Sequence, residues 1–243
     1  LIFMLYIFFM EITKYYSPNY REKARSDKSI TMIIIHYTGM QSERESLIRL
    51  TSARFKVSAH YLVGRNGRIL NLVDSKYVAW HAGKSMWKKN KNLNKNSIGI
   101  ELVNKGHKFG YQKFTKIQIK NLISLCKKLK KKYKIKNNFI LAHSDIAPIR
   151  KIDPGEKFPW QYLSINGIGN YPKKIDIKNK YKKTQNNGLF FKNLYKIGYR
   201  YLNSKYKTKI IKNFQRKYRQ KKINGIIDFE TLKLSQILSK SLN

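Results

Sequence analysis

Two segments of the chain are apolar almost without interruption and rich in β-branched residues. They span residues 30–37 (ITMIIIHY) and 96–103 (NSIGIELV), and such runs are typical of buried central strands. A third, shorter strand is predicted over 139–143 (FILAH). These runs alternate with amphipathic stretches, so the order of elements in this part of the chain is mixed α/β.

A helix and a β-hairpin are predicted between the first two strands. Residues 41–55 are mostly polar, with a few leucine and isoleucine positions that favour a helix. Residues 57–63 and 68–73 flank a turn that contains Asn66-Gly67, and Asn-Gly between two apolar runs predicts a hairpin. Residues 85–95, rich in Lys and Asn, are predicted to form a loop.

The most regular helix is predicted over 114–133. Thr115 and Gln118 have the sequence of a capping box at its start. The apolar side chains that recur at helical spacing are Ile119, Leu122, Cys126, Leu129 and Tyr133. Cys126 is the only cysteine and is predicted to be a small core residue, so no internal disulfide can form.

The chain changes texture after Trp160. Residues 167–185 hold Gly, Asn, Pro and Lys with few apolar side chains, which predicts a linker. Helices are then predicted over 189–201 and 210–218, and Asp228 is the predicted cap of a third helix. We therefore predict an α/β protein with a mixed central β-sheet flanked by helices, followed by a small C-terminal three-helix domain. The predicted division is an N-terminal segment (1–29), a main domain (30–170), a linker (171–187) and a helical domain (188–243).

Charge is the outlier of the composition. The 243 residues include 52 Lys and Arg against 13 Asp and Glu, which gives a formal net charge of +39. Such a surplus attracts polyanions, including nucleic acid, anionic membranes and acidic cell-wall polymers. The excess is mostly lysine, scattered along the chain together with many Asn and Ile, whose codons are also A/T-rich. Base composition explains this scatter better than a nucleic-acid surface does, so we expect no specific nucleic-acid partner.

The first ten residues, LIFMLYIFFM, are apolar throughout. They are half the length of a membrane span, and neither a cationic region before them nor a small-residue cleavage site after them is present. Two interpretations stay open: a shortened signal sequence, or translated sequence upstream of a true start at Met4 or Met10.

Two of the five histidines stand at the ends of predicted buried strands, His36 in IIIHYT and His143 in ILAHSD. Strand ends are where α/β domains place ligands. Asp153 follows His143 in a loop stiffened by Pro148 and Pro154. Two neutral imidazoles and one carboxylate would hold a zinc ion and leave its fourth position for water.

Several segments in order along residues 30–170 closely resemble the type 2 N-acetylmuramoyl-L-alanine amidase family. They are IIIHYT, SAHYLV, VAWHAG, SIGIELVN and HSDIAPIRKIDPGEKFPW, and the last is the most specific. The resemblance implies the type 2 amidase fold and one Zn²⁺ per chain, bound by His36, His143 and Asp153. It implies Glu101 as the general base and Lys151 as the cation that stabilises the oxyanion. Without the resemblance, Glu101 could be a structural acid paired with a lysine, and Lys151 one more surface lysine.

Other residues of these motifs have less certain roles. His60 and His81 are predicted either to contact the substrate or to orient neighbouring side chains. Tyr37 and Trp80 are predicted substrate contacts. Trp80 and Trp87 could supply a stacking wall for a sugar, although Trp80 could instead be core. His107 matches no motif and is predicted to be a surface residue.

The tail is similar, at scattered positions, to the small three-helix peptidoglycan-binding module that follows such amidases. The shared pieces are Phe214-Gln215, the turn Asn224-Gly225, and Thr231 with Leu232. Wall binding and a purely packing role both stay open for this tail.

The resemblance implies hydrolysis of the amide between N-acetylmuramic or anhydromuramic acid and L-alanine, in cell-wall turnover or recycling. The alternatives are a peptidoglycan-binding module without activity and, from the charge, a nucleic-acid-binding protein. The expected partner is peptidoglycan or muropeptides, with membrane or outer-membrane association left open, and the expected state is a monomer. The expected location is the cell envelope, with a cytoplasmic location left open by the incomplete N-terminal signal.

Overall fold

The computed structural model describes residues 11–172, 182–184, 186–203 and 205–241. The apolar run 1–10 and most of the predicted linker 171–187 lie outside these residues. The strands are β1 (Ile12–Lys14), β2 (Tyr20–Arg21), β3 (Met32–Tyr37), β4 (Tyr61–Val63), β5 (Ile69–Asn71), β6 (Val78–Ala79), β7 (Met86–Trp87), β8 (Asn90–Lys91), β9 (Ser97–Leu102) and β10 (Ile140–Ala142). The helices are α1 (Glu43–Thr51), α2 (Lys116–Tyr133), α3 (His143–Ile146), α4 (Trp160–Ile165), α5 (Asn187–Ile197), α6 (Lys207–Tyr218) and α7 (Phe229–Lys240).

The centre of the fold is a six-stranded mixed sheet in the order β1-β5-β4-β9-β3-β10. The hairpin β4–β5 is antiparallel, and the other neighbours in this sheet pair in parallel. The predicted long strands form its middle, as their continuous apolar sequence requires. The predicted mixed α/β class is confirmed.

The two faces of the sheet are covered by different helices. Ile33 and Ile35 of β3 face one side, together with Ile98 and Ile100 of β9, and α2 packs over them. Alternation along β3 turns Met32 and Ile34 to the opposite side. His36 continues this second series, so it lies on the face that α2 does not cover.

The C-terminal helices cover part of that second face. Side chains of α5, α6 and α7 belong to one hydrophobic cluster with side chains of β3, β10 and α3. The cluster includes Met32, Ile34, Leu141, Ile146, Phe190, Leu194, Phe214 and Leu238. The predicted helices of the tail are present. Wall binding and packing were both left open for the tail, and the structure shows contacts that correspond to packing.

Trp87 belongs to this junction and not to a sugar-binding wall. Its side chain is 2% exposed and packs at 66° against the ring of Tyr199, with the ring centroids 5.0 Å apart. Gly198 allows this approach, because a Cβ there would lie 2.5 Å from the indole ring. The prediction of a stacking role for Trp87 is therefore wrong, since burial against the tail removes its ring from any ligand.

Residues 11–29 were predicted to belong to an N-terminal segment outside the main domain, but they pack against that domain. β1 pairs with β5 at the edge of the central sheet. The Arg25 guanidinium donates to the backbone oxygens of Asn94 and Ser97 at 3.0 and 2.8 Å. These long-range contacts make residues 11–29 part of the same folded unit.

Two local predictions are also corrected. The predicted loop 85–95 contains the short antiparallel pair β7–β8. At the start of α2, Thr115 accepts a hydrogen bond from the backbone N–H of Gln118, but the Gln118 side chain donates instead to the backbone oxygens of Val63 and Val103. Only half of the capping box forms, because Gln118 ties the helix to the sheet. Among the described helices, none is long and apolar enough to cross a membrane.

Candidate active site

Strand register places His36 and Glu101 side by side. β3 and β9 are parallel, and His36 is the register partner of Glu101 near the carboxyl ends of both strands. Parallel neighbours in register direct their side chains to the same face. The two motifs, far apart in sequence, therefore meet on the face that α2 does not cover.

His143 and Asp153 complete a cluster with His36. His143 follows β10, and Asp153 returns to it through a loop closed by a 3.0 Å hydrogen bond from the Ser144 N–H to the Asp153 backbone oxygen. The Nδ1 atoms of His36 and His143 lie 2.8 Å apart, and Asp153 Oδ2 lies 3.2 and 3.0 Å from them. All three side chains are buried, and their ligand atoms are close enough to share one metal ion.

Hydrogen bonds on the far side of His36 fix its tautomer. The Ser97 hydroxyl donates to the backbone oxygen of Leu93 at 2.5 Å, so its oxygen accepts from His81 Nε2 at 3.2 Å. His81 Nδ1 then accepts from His36 Nε2 at 3.0 Å. The remaining nitrogen of His36, Nδ1, carries a lone pair and points at Asp153.

His143 is fixed in the same way. Its Nε2 lies 3.2 Å from the backbone oxygen of Ala82, which can only accept, and 3.4 Å from Arg150 Nη2, which can only donate. The shorter contact places the proton on Nε2 and a lone pair on Nδ1. Two imidazole lone pairs and a carboxylate oxygen therefore face one another at distances of 2.8, 3.2 and 3.0 Å, with no proton between the two nitrogens. Such a set of donors repels itself unless a cation lies among them, so the residues fit a metal ion.

The lowered pKa values of His36 and Asp153 keep these two donors unprotonated. Burial, and then the neighbouring His143, lower the pKa of His36 to about 4. Burial acts to raise the pKa of Asp153, but the neighbouring His143 and His36 side chains outweigh it and lower that pKa well below the usual range. A neutral imidazole and an ionised carboxylate are the forms that bind a metal.

Glu101 is a buried acid in the middle of this polar cluster. Its side chain is 9% exposed, and Oε2 makes no hydrogen bond to the described residues. Burial, and then Asp153, raise the pKa of Glu101 to about 8, while Lys151 opposes the shift. Among the described residues no lysine pairs with Oε2, so the structure gives no support for the alternative of a structural acid paired with a lysine. An unpaired buried carboxyl beside such a cluster is typical of a group that exchanges protons.

A cleft of about 580 Å³ opens over these residues. Glu101, Lys151 and Asp153 line it, and Tyr37 and His107 form part of its wall. The Tyr37 hydroxyl lies 2.9 Å from His107 Nδ1. Tyr37 is therefore placed where it could contact a ligand, as predicted. His107 was predicted to be a surface residue, and the structure places it at the border of the cleft. Four cationic side chains line the cleft: Arg49, Lys108, Arg150 and Lys151.

The structure separates the other predicted contacts. His81 lines the cleft but is held by His36 and Ser97. His60 is 0% exposed and accepts from the Gly99 N–H at 3.0 Å, so it supports β9 and does not reach the cleft. Trp80 is partly exposed and is not among the described residues that line the cleft. The predicted substrate contacts of His60 and Trp80 therefore have no support in the geometry.

Sequence reasoning missed the residues that orient the histidines. Ser97 ends the chain of hydrogen bonds, and the Asn94 side chain accepts from the N–H groups of His81 and Ala82. At Gly99 a Cβ would lie 2.3 Å from the His81 ring. A glycine inside a strand marks a close approach, and this was the one available signal.

Because His60 is buried and neutral, we expect it to make stability depend on pH. Burial, and then Arg25, lower its folded pKa to about 3, below the value of about 6.5 in an unfolded chain. Below about pH 6.5 the unfolded state binds a proton at His60 and the folded state does not. His60 therefore lowers the free energy of unfolding by about 1.4 kcal/mol for each unit by which the pH decreases. His60→Asn should reduce the pH dependence by this amount while keeping an acceptor for the Gly99 N–H, and the buried His36 and His81 keep their own contributions. Denaturant unfolding between pH 6.5 and 4.5 measures the difference, and parallel curves for the two proteins would contradict it.

The fold and the cluster together define a class: an α/β protein in which two histidines and an aspartate that could hold a metal ion lie buried at the carboxyl ends of the central strands, beside a buried glutamic acid. The profile of the family described as N-acetylmuramoyl-L-alanine amidase matches residues 26–156. The chain belongs to this N-acetylmuramoyl-L-alanine amidase family. The family and the type 2 amidase fold implied by the motifs are confirmed.

The similar proteins are bacterial amidases. N-acetylmuramoyl-L-alanine amidase AmiD of Escherichia coli is 44% identical over 155 residues, which are 59% of this chain and 55% of that protein. The match thus spans about half the length of AmiD. The 1,6-anhydro-N-acetylmuramyl-L-alanine amidase AmpD of Haemophilus influenzae is 35% identical over 167 residues, covering 61% of this chain and 88% of that protein.

Solved structures agree over nearly the whole chain. The complex of E. coli AmiD with the substrate anhydro-N-acetylmuramic acid-L-Ala-D-gamma-Glu-L-Lys has a TM-score of 0.79 at 34% identity and covers 91% of this chain and 93% of that one. AmpDh3 of Pseudomonas aeruginosa in complex with anhydromuramic pentapeptide has a TM-score of 0.78 at 28% identity, covering 92% and 96%.

Proposed function

We propose that this member of the family is a zinc-dependent N-acetylmuramoyl-L-alanine amidase. It hydrolyses the amide between the lactyl group of N-acetylmuramic or anhydromuramic acid and the L-alanine of the peptide stem. The observation that carries the proposal is the convergence of two imidazole lone pairs and a carboxylate on one point, with the unpaired acid Glu101 beside it. Two His and one carboxylate are a donor set of catalytic zinc sites, which keep a fourth position open.

His36, His143 and Asp153 would hold the ion. When bound, Zn²⁺ lowers the pKa of a water and polarises a carbonyl oxygen. Glu101 takes a proton from the attacking water and returns it to the amine of L-alanine as the C–N bond breaks. A carboxyl whose pKa lies near neutrality suits both transfers. Lys151 lines the same cleft and supplies positive charge where the oxyanion develops.

The substrate class follows from the relatives and from the charge of the cleft. AmiD and AmpDh3 have been solved with anhydromuramyl peptides. Here four cationic side chains line a cleft whose acids are Glu101 and Asp153. Peptide stems carry free carboxylates, and a cationic cleft favours them. We infer muropeptides as the substrate and the cell envelope as the place of action.

Removal of the metal should abolish turnover. We expect one zinc per chain in the purified protein, loss of amide hydrolysis after treatment with a chelator, and recovery when Zn²⁺ is returned. Mass spectrometry of muropeptides before and after incubation should show free L-alanine amino termini only with the metal-loaded protein. Full turnover after complete removal of zinc would overturn the metal-dependent mechanism, and a zinc-loaded protein without any turnover would favour a binding module.

A further inference from the structure

Helix α6 of the tail packs against the segment that carries three of the proposed functional residues. His143, Lys151 and Asp153 all lie in residues 143–158, called here the catalytic loop. α6 is anchored by Ile210 and Phe214, which are buried in the cluster shared with the sheet. Polar side chains near the same helix reach the catalytic loop directly.

Asn213 makes the central contact. Its side chain is 1% exposed, and Nδ2 donates to the backbone oxygens of Pro148 and Lys151, both at 2.8 Å. Its Oδ1 accepts from Arg216 at 2.8 Å. Buried backbone carbonyls need donors, and one amide group supplies two of them.

Contacts of the tail bracket the position of Asp153. Before it, Lys217 Nζ lies 2.5 Å from Asp145 Oδ2. After it, Arg216 pairs with Glu156 at 3.5 Å, and Gln220 donates to the backbone oxygen of Phe158 at 2.7 Å. The catalytic loop is therefore held from outside on both sides of the aspartate.

The loop has backbone hydrogen bonds of its own and is also bound by the main domain through the Tyr111 hydroxyl, which donates to the Pro154 oxygen at 2.5 Å, but among the described residues the hydrogen bonds to the Pro148 and Lys151 oxygens come from Asn213. The Lys151 N–H donates to the Ala147 oxygen at 3.0 Å, and the Ser144 N–H donates to the Asp153 oxygen at 3.0 Å. The Lys151 oxygen that Asn213 binds lies two residues before the carboxylate of Asp153. A shift of that peptide group would move both the Lys151 side chain and the Asp153 carboxylate. Reactive groups need to be held within about 0.5 Å.

We propose that Asn213 is a positioning residue, which fixes the catalytic loop through the carbonyls of Pro148 and Lys151 so that Asp153 and Lys151 face the cleft in the reactive geometry. The inference rests on the proposed function for its kinetic part. It gives the C-terminal helices a role in the reaction, whatever their affinity for cell wall.

Asn213→Asp tests this with little change in shape. The carboxylate keeps an acceptor for Arg216 but loses the N–H donors and places an oxygen against the two carbonyls. The matched control is Asn193→Asp. Asn193 lies on α5, is 5% exposed, and donates to the Ser235 hydroxyl at 3.0 Å within the tail. Both variants place a buried carboxylate in the tail, but only the first touches the catalytic loop.

We expect Asn213→Asp to lower kcat by about 10- to 100-fold with KM nearly unchanged, and to weaken zinc binding by a similar factor. With Co²⁺ in place of zinc, its visible absorption bands should change in position and shape, since the geometry of Asp153 changes. Asn193→Asp should keep the wild-type kcat, zinc affinity and band shape, even where its melting temperature falls equally. If Asn213→Asp does not fold, Asn213→Ala and Asn193→Ala take the places of the pair.

Two results would overturn the inference: wild-type kcat and Co²⁺ bands in the Asn213 variant, or equal losses in the Asn193 variant. Failure of the proposed function has a different signature. The wild-type protein would then bind metal without cleaving muropeptides, while the Co²⁺ bands of the two variants would still report whether Asn213 positions the loop.

Discussion

Replacing Glu101 with glutamine is expected to lower kcat for muropeptide hydrolysis by about 100- to 10,000-fold while the protein keeps its zinc. Glutamine has nearly the same shape but cannot accept the proton of the attacking water. Glu101 Oε2 has no hydrogen-bond partner among the described residues, so the change removes no structural contact of that atom. Steady-state kinetics on a defined muropeptide and metal analysis of the same sample measure both quantities.

The control for this change is Glu43→Gln. Glu43 pairs with Arg68 at 3.0 Å away from the cleft, so the same loss of a carboxylate there should leave kcat unchanged. Wild-type turnover in Glu101→Gln would remove the assignment of the general base. Loss of zinc together with turnover would instead assign Glu101 to the metal cluster.

Replacing Asp145 with alanine is expected to cost about 3–5 kcal/mol of unfolding free energy, which is a large part of the stability of a typical domain. Asp145 is 1% exposed and binds Lys217, which is 4% exposed. It also accepts from the Tyr199 hydroxyl at 2.5 Å and from the Ala142 N–H at 2.8 Å. Without the carboxylate, a buried ammonium group and a buried hydroxyl lose their partner.

A double-mutant cycle separates the ion pair from the other contacts. Lys217→Met keeps an apolar chain over the Trp160 ring, where the ammonium now lies 4.3 Å from the ring centroid. We expect the double variant Asp145→Ala, Lys217→Met to lose less than the sum of the two single losses, since neither charge is then left unpaired. Chemical denaturation of the four proteins gives the coupling, and additive losses would show that the pair contributes nothing beyond its separate contacts.

Glu101 and Asp145 differ in how far the sequence alone reveals their importance. Glu101 stands in an apolar strand, where an acid is costly, so pattern and motif both single it out. Asp145 lies two residues after His143 in the same motif, and nothing local distinguishes it. Its partners Tyr199 and Lys217 come from the tail, far along the chain, and such pairings depend on packing.

The tail illustrates the same limit. Helix periodicity and the Asp228 cap predict its three helices, because these are local properties. The prediction treats it as a separate domain behind a linker, whereas its apolar side chains share one cluster with Met32 and Ile34 of the sheet. An apolar stripe shows that a helix needs a partner surface, but it does not say which surface.

The sequence by itself determined the central strands, the hairpin, the main helix and the candidate ligands His36, His143 and Asp153, because strand ends, turns and caps are encoded within a few neighbouring residues. Tertiary structure decided which lone pairs meet, how Ser97 and His81 fix the tautomer of His36, and that α6 holds the catalytic loop. These features join residues up to 117 positions apart, so they depend on strand register and on packing between layers. Local pattern carries no information about either.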